Sequence, residues 1–188
     1  MAFNEQNRED AYKFFVLTFN AVPGSKHAVD IVNAYNAGLN TQEIIEIYTS
    51  KDAFKAIYPS TQTSAEFAAA LVANVASATT SQTAKDAAIA DIVKAIDGGM
   101  SKAGVIYQVL GNLSNKTVAD ADWGTTVAQL NNKIAVAKVL TEGEKAVAYT
   151  DPATLQAFVA NVTEDLATVE AALNAAGNLA DKIATLAN

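Results

Sequence analysis

Mostly apolar side chains recur every three or four positions near the start of the chain, so that they lie on one face of a helix. Between Asn7 and Val22, this face consists of Ala11, Phe14, Phe15, Thr18, Phe19 and Val22. Such spacing is typical of an amphipathic α-helix that packs one face against a core. The Pro23-Gly24-Ser25 sequence ends this helix, and we expect the Ser25 hydroxyl to cap the next one.

Helical patterns with recognisable start and stop residues continue along the chain. In the first half of the chain they predict a helix at about 25–37, one that starts at 40 or 41, a short one that ends at 58, and one that starts at 63 or 64. Further along they predict helices at about 84–97, 101–113 and 121–138. The last predicted helices start after Asp151-Pro152, lie near 160–162, and run from 163 or 164 to 176. The strict alternation that would indicate strands is not sustained. We therefore predict an all-α fold, a multi-helix bundle, with Ser77 to Thr83 as a polar surface loop.

The chain contains an internal repeat. The segment from Asp30 to Leu39 matches Asp91 to Met100 at an offset of 61 residues, and Phe14 to Val22 matches Phe67 to Val75 at an offset of 53. The difference falls in the loop at 77–83. We predict repeat units at about 10–58 and 63–115, followed by a helical part at about 120–188, within one domain covering 1–188.

Two glycines hold the same place in the two units. Gly38 and Gly99 each follow a helix and precede a capped one, where a left-handed conformation is expected. Helical hairpins that are duplicated and stacked form an extended scaffold. A catalytic pocket normally requires residues that break such symmetry, and the chain has few of them. The repeat therefore favours a structural or binding protein over an enzyme.

Composition narrows the possible functions. The formal net charge is -7, and the 13 basic residues are scattered, whereas nucleic-acid binding requires clustered ones. The absence of cysteine excludes disulfides and thiolate catalysis. No run approaches the roughly 20 apolar residues of a transmembrane helix. The N-terminal sequence from Met1 to Arg8 does not resemble a Sec signal peptide, so we expect any export to depend on another signal.

Candidate chemistry is sparse. The single histidine, His27, has only Asp30 one turn away, which is a weak start to a metal site. Asp120 and Asp122 begin like a calcium loop but lack its closing glutamate, which leaves a looser calcium site open. Trp123 follows them, either as a sugar-binding ring beside acids or as a plug between helices. The candidate ligand-binding residues are therefore Lys26, His27, Asp120, Asp122 and Trp123; no catalytic residue is predicted.

One stretch resembles a known helical family. The segment from Asp91 to Ser101, followed by Val105-Ile106-Tyr107, is similar to the core of domains found beside RTX repeats, and segments from Asn131 to Ala137 and from Asp151 resemble later parts of that family. The resemblance implies the N-terminal anchoring region of an S-layer protein. Such a protein leaves a Gram-negative cell by type I secretion and binds lipopolysaccharide O-antigen or another surface glycan. It self-associates through its full-length chain in a calcium-dependent lattice. The Gly-Asp-rich calcium repeats of such proteins do not occur in this sequence.

Three hypotheses follow from the residues and the resemblance. In the first, the domain anchors a surface layer to polysaccharide, without a required cofactor and with calcium as a candidate ion. Its contact regions would be Pro23 to His27, Ser77 to Thr83 and Asp120 to Trp123. The second is a protein–protein module that builds a lattice or filament. The third, an enzyme acting on polysaccharide, would need two carboxylates about 5–10 Å apart in a cleft.

Overall fold

The computed structural model describes residues 4–142, 146 and 151–186, with side chains up to Gly177. The predicted ends of the domain, at 1–3 and 187–188, lie outside the described residues. The helices are α1 Glu5–Phe19, α2 Gly24–Asn36, α3 Thr41–Thr49, α4 Asp52–Ile57, α5 Ser64–Val75, α6 Gln82–Asp97, α7 Lys102–Ser114, α8 Gly124–Glu142, α9 Pro152–Ala157 and α10 Ala167–Leu186. No strand occurs among the described residues, which confirms the predicted all-α fold.

The internal repeat has a structural counterpart, which we call the first unit (α1, α2 and α3) and the second unit (α5, α6 and α7). Gly38 ends α2 with φ 97° and Gly99 ends α6 with φ 95°. Both glycines donate a backbone hydrogen bond to the carbonyl three residues earlier, to Tyr35 at 3.0 Å and to Ile96 at 2.9 Å. The predicted left-handed glycines at the ends of these two helices are therefore confirmed.

Helix starts and buried positions also correspond between the units. Asn40 caps α3 and Ser101 caps α7, each through its side-chain oxygen, at positions 61 residues apart. Buried side chains occupy matching places, with the pairs Phe14 and Phe67, Ile31 and Ile92, Ile44 and Val105, and Ile45 and Ile106. These paired residues belong to one continuous core, which side chains from α8, α9 and α10 complete.

The predicted cap at Ser25 is wrong. Pro23 is the N-cap of α2, without a side-chain cap hydrogen bond, and it already has helical backbone angles. The helix therefore begins at Gly24, one residue before Ser25, and the serine lies in the first turn. Pro23 and Gly24 are buried, so the expected contact region from Pro23 to His27 is only partly accessible.

The segment at 77–83, predicted as a polar surface loop, is exposed except at two residues, and its last two residues belong to α6. Ser77 and Thr80 are buried, because the start of α8 packs against them. The Ser77 backbone N–H donates to Thr126 Oγ1 at 2.9 Å, and the hydroxyls of Thr80 and Thr126 lie 2.7 Å apart. The loop joins the second unit to α8, and only part of it faces solvent. Ser77 and Thr80 can be buried despite their polarity because their hydroxyls are hydrogen-bonded to other hydroxyls.

The C-terminal part packs α8 along the first unit, with α10 against α8. Asp151 caps α9 and Pro152 is in its first turn, as the sequence predicts. That helix ends at Ala157, and turns occupy the positions near 160–162 where a helix was expected. α10 begins at Ala167, later than predicted, and its backbone continues through Gly177. Among the described residues, no helix combines the length and apolarity needed to cross a bilayer.

A candidate ligand-binding groove

The candidate residues fall in two places. Lys26 and His27 lie in the first unit, on α2, with Lys26 exposed. The His27 ring packs against Phe15 and Tyr48, with ring centroids 5.5 and 6.0 Å away. Its Nδ1 atom lies 3.5 Å from the Tyr48 hydroxyl. Burial lowers the pKa of His27 despite the opposing charge of Asp30, so the imidazole is a neutral part of an aromatic cluster near neutral pH.

Asp120 shapes the turn before α8. Its carboxylate accepts backbone N–H bonds from Asp122 at 3.1 Å and from Trp123 at 2.8 Å, and it pairs with Lys116 Nζ at 2.8 Å. The hydrogen bond from Lys116, followed by those from the backbone, lowers the pKa of Asp120. Gly124 completes the turn, since a Cβ atom there would lie 2.4 Å from the Val118 carbonyl oxygen. The predicted start of α8 at Ala121 is displaced to Gly124 by this capping turn.

The other two candidates line a groove of about 500 Å³. We call it the α5–α7 groove because it lies between α5, α6 and α7, with the 115–123 segment at its edge. Its apolar residues include Leu71, Val72, Ala88, Ile92, Val105 and Val109, and its polar residues are Asp91, Gln108, Asn112, Asn115, Lys116 and Asp122. Trp123 is half-buried at the edge and packs against the core. Both roles considered for the tryptophan, packing and ligand contact, are compatible with this place.

The polar rim of the groove carries two carboxylates, three side-chain amides and one ammonium group. Asp91 and Asp122 are exposed, and neither carboxylate has a hydrogen bond or ion pair with another described side chain. Lys116 is the only cationic residue that lines the groove, and Asp120 neutralises it. A ligand in the groove therefore encounters carboxylates and side-chain amides above an apolar floor. Such a combination binds an apolar group and orients it through a few polar contacts.

Sequence reasoning found Asp122 and Trp123 but not the groove itself. The missing signal was present in the repeat, because the offset of 61 residues aligns His27 with Ala88 and Tyr48 with Val109. The two large ring residues of the first unit thus correspond to two small residues of the second unit. The difference in side-chain volume is visible in the sequence only when α6 and α7 are aligned with α2 and α3.

The described residues hold no cluster of three or more His, Asp or Glu side chains arranged to bind a metal ion. Asp120 and Asp122 are two residues apart in the capping turn, but Asp120 is engaged by Lys116 and by backbone N–H groups. Any calcium bound here would have to compete with that ammonium group.

Comparison of the chain with models of known protein families, with curated proteins and with solved structures found no match.

Proposed function

We propose that the domain is a non-enzymatic tether that holds a surface-layer protein to polysaccharide on the outside of a Gram-negative cell. The observation that supports this proposal most is the place of Trp123, half-buried beside the exposed Asp122 at the edge of the α5–α7 groove. The exposed amides of Asn112 and Asn115 line the same edge. The resemblance of the Asp91 to Ser101 segment to S-layer anchoring domains supports the same assignment.

This edge has the chemistry that sugar binding uses. An indole ring covers the C–H face of a sugar, while carboxylates and amides accept or donate hydrogen bonds to its hydroxyls. The backbone N–H of Trp123 is held by Asp120, so the residue is placed by a capped turn rather than by a mobile loop. A positioned ring loses less conformational entropy when it binds a ligand.

Secretion by the type I route and a place in the surface layer are part of this proposal. Calcium would act by offsetting repulsion between the acidic domain and anionic groups of the cell surface, since the chain carries a formal net charge of -7. The affinity for polysaccharide would then rise with calcium and fall with a chelator.

The absence of catalysis is also proposed on physical grounds. Asp91 and Asp122 line the same groove, as the carboxylates of a polysaccharide hydrolase would. One of the two would have to stay protonated near neutral pH, which requires removal from water. Both are exposed to solvent. They are better suited to accepting hydrogen bonds from a ligand than to delivering a proton.

The test is a titration of the purified chain with delipidated outer-membrane polysaccharide from the source bacterium, by calorimetry, with calcium or with EDTA. We expect saturable binding that Trp123→Ala weakens about tenfold, because the ring contact is lost. Tyr107→Ala is the control, since Tyr107 is an exposed aromatic residue outside the groove. Absence of saturable binding with and without calcium would overturn the tether proposal.

Assembly with other protein chains is the second candidate. Exposed apolar side chains favour it, among them Val118 and Tyr107, which are 62% and 43% exposed. Residues of this kind commonly form contacts between proteins when they are grouped. Mass measurement across a concentration series separates the two functions. Oligomers that form without polysaccharide favour assembly, and a monomer that binds polysaccharide favours the tether.

A further inference from the structure

Two residues that line the α5–α7 groove correspond in the sequence repeat to two aromatic-ring residues of the first unit. At the offset of 61 residues, Ala88 replaces His27 and Val109 replaces Tyr48. In the first unit these two rings lie against each other and against Phe15, whose counterpart at the offset of 53 is Ala68. Ala88 and Val109 both line the groove. The pair of helices joined at a left-handed glycine is repeated in α6 and α7, but Ala88 and Val109 carry no rings in the places of His27 and Tyr48.

The charged and basic side chains near these positions also differ between the two units. In the first unit, Asp30 interacts electrostatically with His27, which also senses the nearby ammonium of Lys26. The counterpart of Asp30 is Asp91, which lines the groove, while the counterpart of Lys26 is Ala87. The second unit therefore retains the carboxylate and lacks both basic side chains beside it.

We propose that the α5–α7 groove binds a small molecule that carries an aromatic ring and a cationic nitrogen. The ring would occupy the space at Ala88 and Val109 that the rings of His27 and Tyr48 fill in the first unit. The nitrogen would pair with Asp91. This proposal is separate from the polysaccharide tether, which uses the outer edge at Asp122 and Trp123.

The dimensions and chemistry of the groove support an aromatic amine in particular. A volume of about 500 Å³ lies within the usual range for small-molecule sites. Burial of a ring on Val72, Ile92 and Val105 supplies an apolar contribution to binding. An anionic ligand would instead face Asp91 and Asp122, whose repulsion no unpaired cationic residue of the lining compensates.

The test uses three probes with the same phenol ring and different charges: tyramine, tyrosol and 4-hydroxyphenylacetate. Binding to the full chain is measured by calorimetry. We expect one tyramine per chain, with a dissociation constant on the order of 1 mM, which suits a ligand of this size. Tyrosol should bind about fivefold more weakly, because it lacks the ion pair, and 4-hydroxyphenylacetate more weakly still.

Two variants locate the site. Ala88→His with Val109→Tyr transplants the rings of the first unit and should abolish tyramine binding, whereas Ala90→His, on the exposed side of α6, should not. Asp91→Asn should reduce tyramine binding to the level of tyrosol, and Asp86→Asn, on the same helix but outside the groove, should leave it unchanged. Circular dichroism checks that the double variant folds; if it does not, Asp91→Asn still decides.

Absence of saturable tyramine binding would overturn the proposal, as would equal affinity for the three probes. Unchanged affinity in a folded double variant, or in Asp91→Asn, would also overturn it. Polysaccharide binding without tyramine binding would support the tether and reject the aromatic-amine site. Tyramine binding without polysaccharide binding would support the groove and reject the tether.

Discussion

The Lys133 ammonium on α8 donates a hydrogen bond to the side-chain oxygen of Asn20 over 2.7 Å. Asn20 ends α1 in the left-handed conformation, with φ 47°, and the bond joins the end of α1 to the middle of α8. Lys133 is buried, and burial lowers its pKa to about 8. The bond therefore holds a charge that the protein interior disfavours.

Stability should rise with pH across the titration of Lys133. Between pH 8 and 9.5 the folded chain releases this proton while the unfolded chain, with a lysine pKa near 10.5, retains it. Since the unfolded state then binds more protons, the free energy of unfolding increases with pH, by about 1.5 kcal/mol over this interval. Urea unfolding at several pH values measures it. The increase should disappear in Lys133→Met, and persistence of the increase there would contradict the assignment.

Above about pH 10 the trend should reverse. Burial raises the pKa of Tyr12, Tyr48 and Tyr58, so these phenols stay protonated in the folded chain after the unfolded chain has lost their protons. The folded state then binds more protons, and the free energy of unfolding falls as pH rises. Urea unfolding monitored by circular dichroism at pH 9.5, 10.5 and 11 should show this decline. A flat or rising profile would show that the phenols are not buried as described.

Two glycine-to-alanine substitutions should have opposite effects on stability. Gly99 has φ 95°, where a Cβ atom is strained even though no atom crowds it, so Gly99→Ala should cost about 1 kcal/mol. Gly111 lies within α7 with open space around it, so Gly111→Ala should add about 0.5–1 kcal/mol. Thermal unfolding of both variants measures the difference. Equal effects would mean that Gly99 does not need its left-handed conformation.

The buried hydroxyl cluster between Ser77 and Thr126 should contribute to stability. Thr126→Val keeps the shape of the side chain but leaves the Ser77 N–H without its acceptor, which should cost about 1–3 kcal/mol. Thr83→Val is the control, because Thr83 is exposed on α6 and should change stability by less than about 0.5 kcal/mol. Urea unfolding compares the two. A cost no larger than that of the control would indicate that water replaces the threonine hydroxyl.

Local sequence signals predicted most of the helices. Capping side chains at Asn40, Thr63, Ser101 and Asp151 fix helix starts through contacts within a few residues, so short segments suffice to recognise them. The repeat predicted both left-handed glycines. The fold class followed from periodicity alone, since the spacing of apolar residues in the sequence indicates the buried face of each helix.

Features that depend on distant contacts were not predictable in this way. The burial of Ser77 depends on Thr126, 49 residues further along the chain, and nothing near Ser77 indicates it. The groove is lined by the small residues Ala88 and Val109, where the first unit has His27 and Tyr48, and a small side chain gives no local signal of a groove. Trp123 was recognised as a candidate by its residue type, but its place at the groove edge requires the packing of three helices.

NMR tests most directly whether α6 and α7, which repeat α2 and α3 in sequence, leave a ring-binding site open between them. Backbone amide shifts of the labelled chain are followed during a tyramine titration, and the residues of α2 and α3 at the offset of 61 serve as internal controls for those of α6 and α7. We predict saturable shifts at Ala88, Asp91 and Val109, and none at His27 or Tyr48. Equal shifts in both units, or shifts confined to residues outside the α5–α7 groove, would contradict the account.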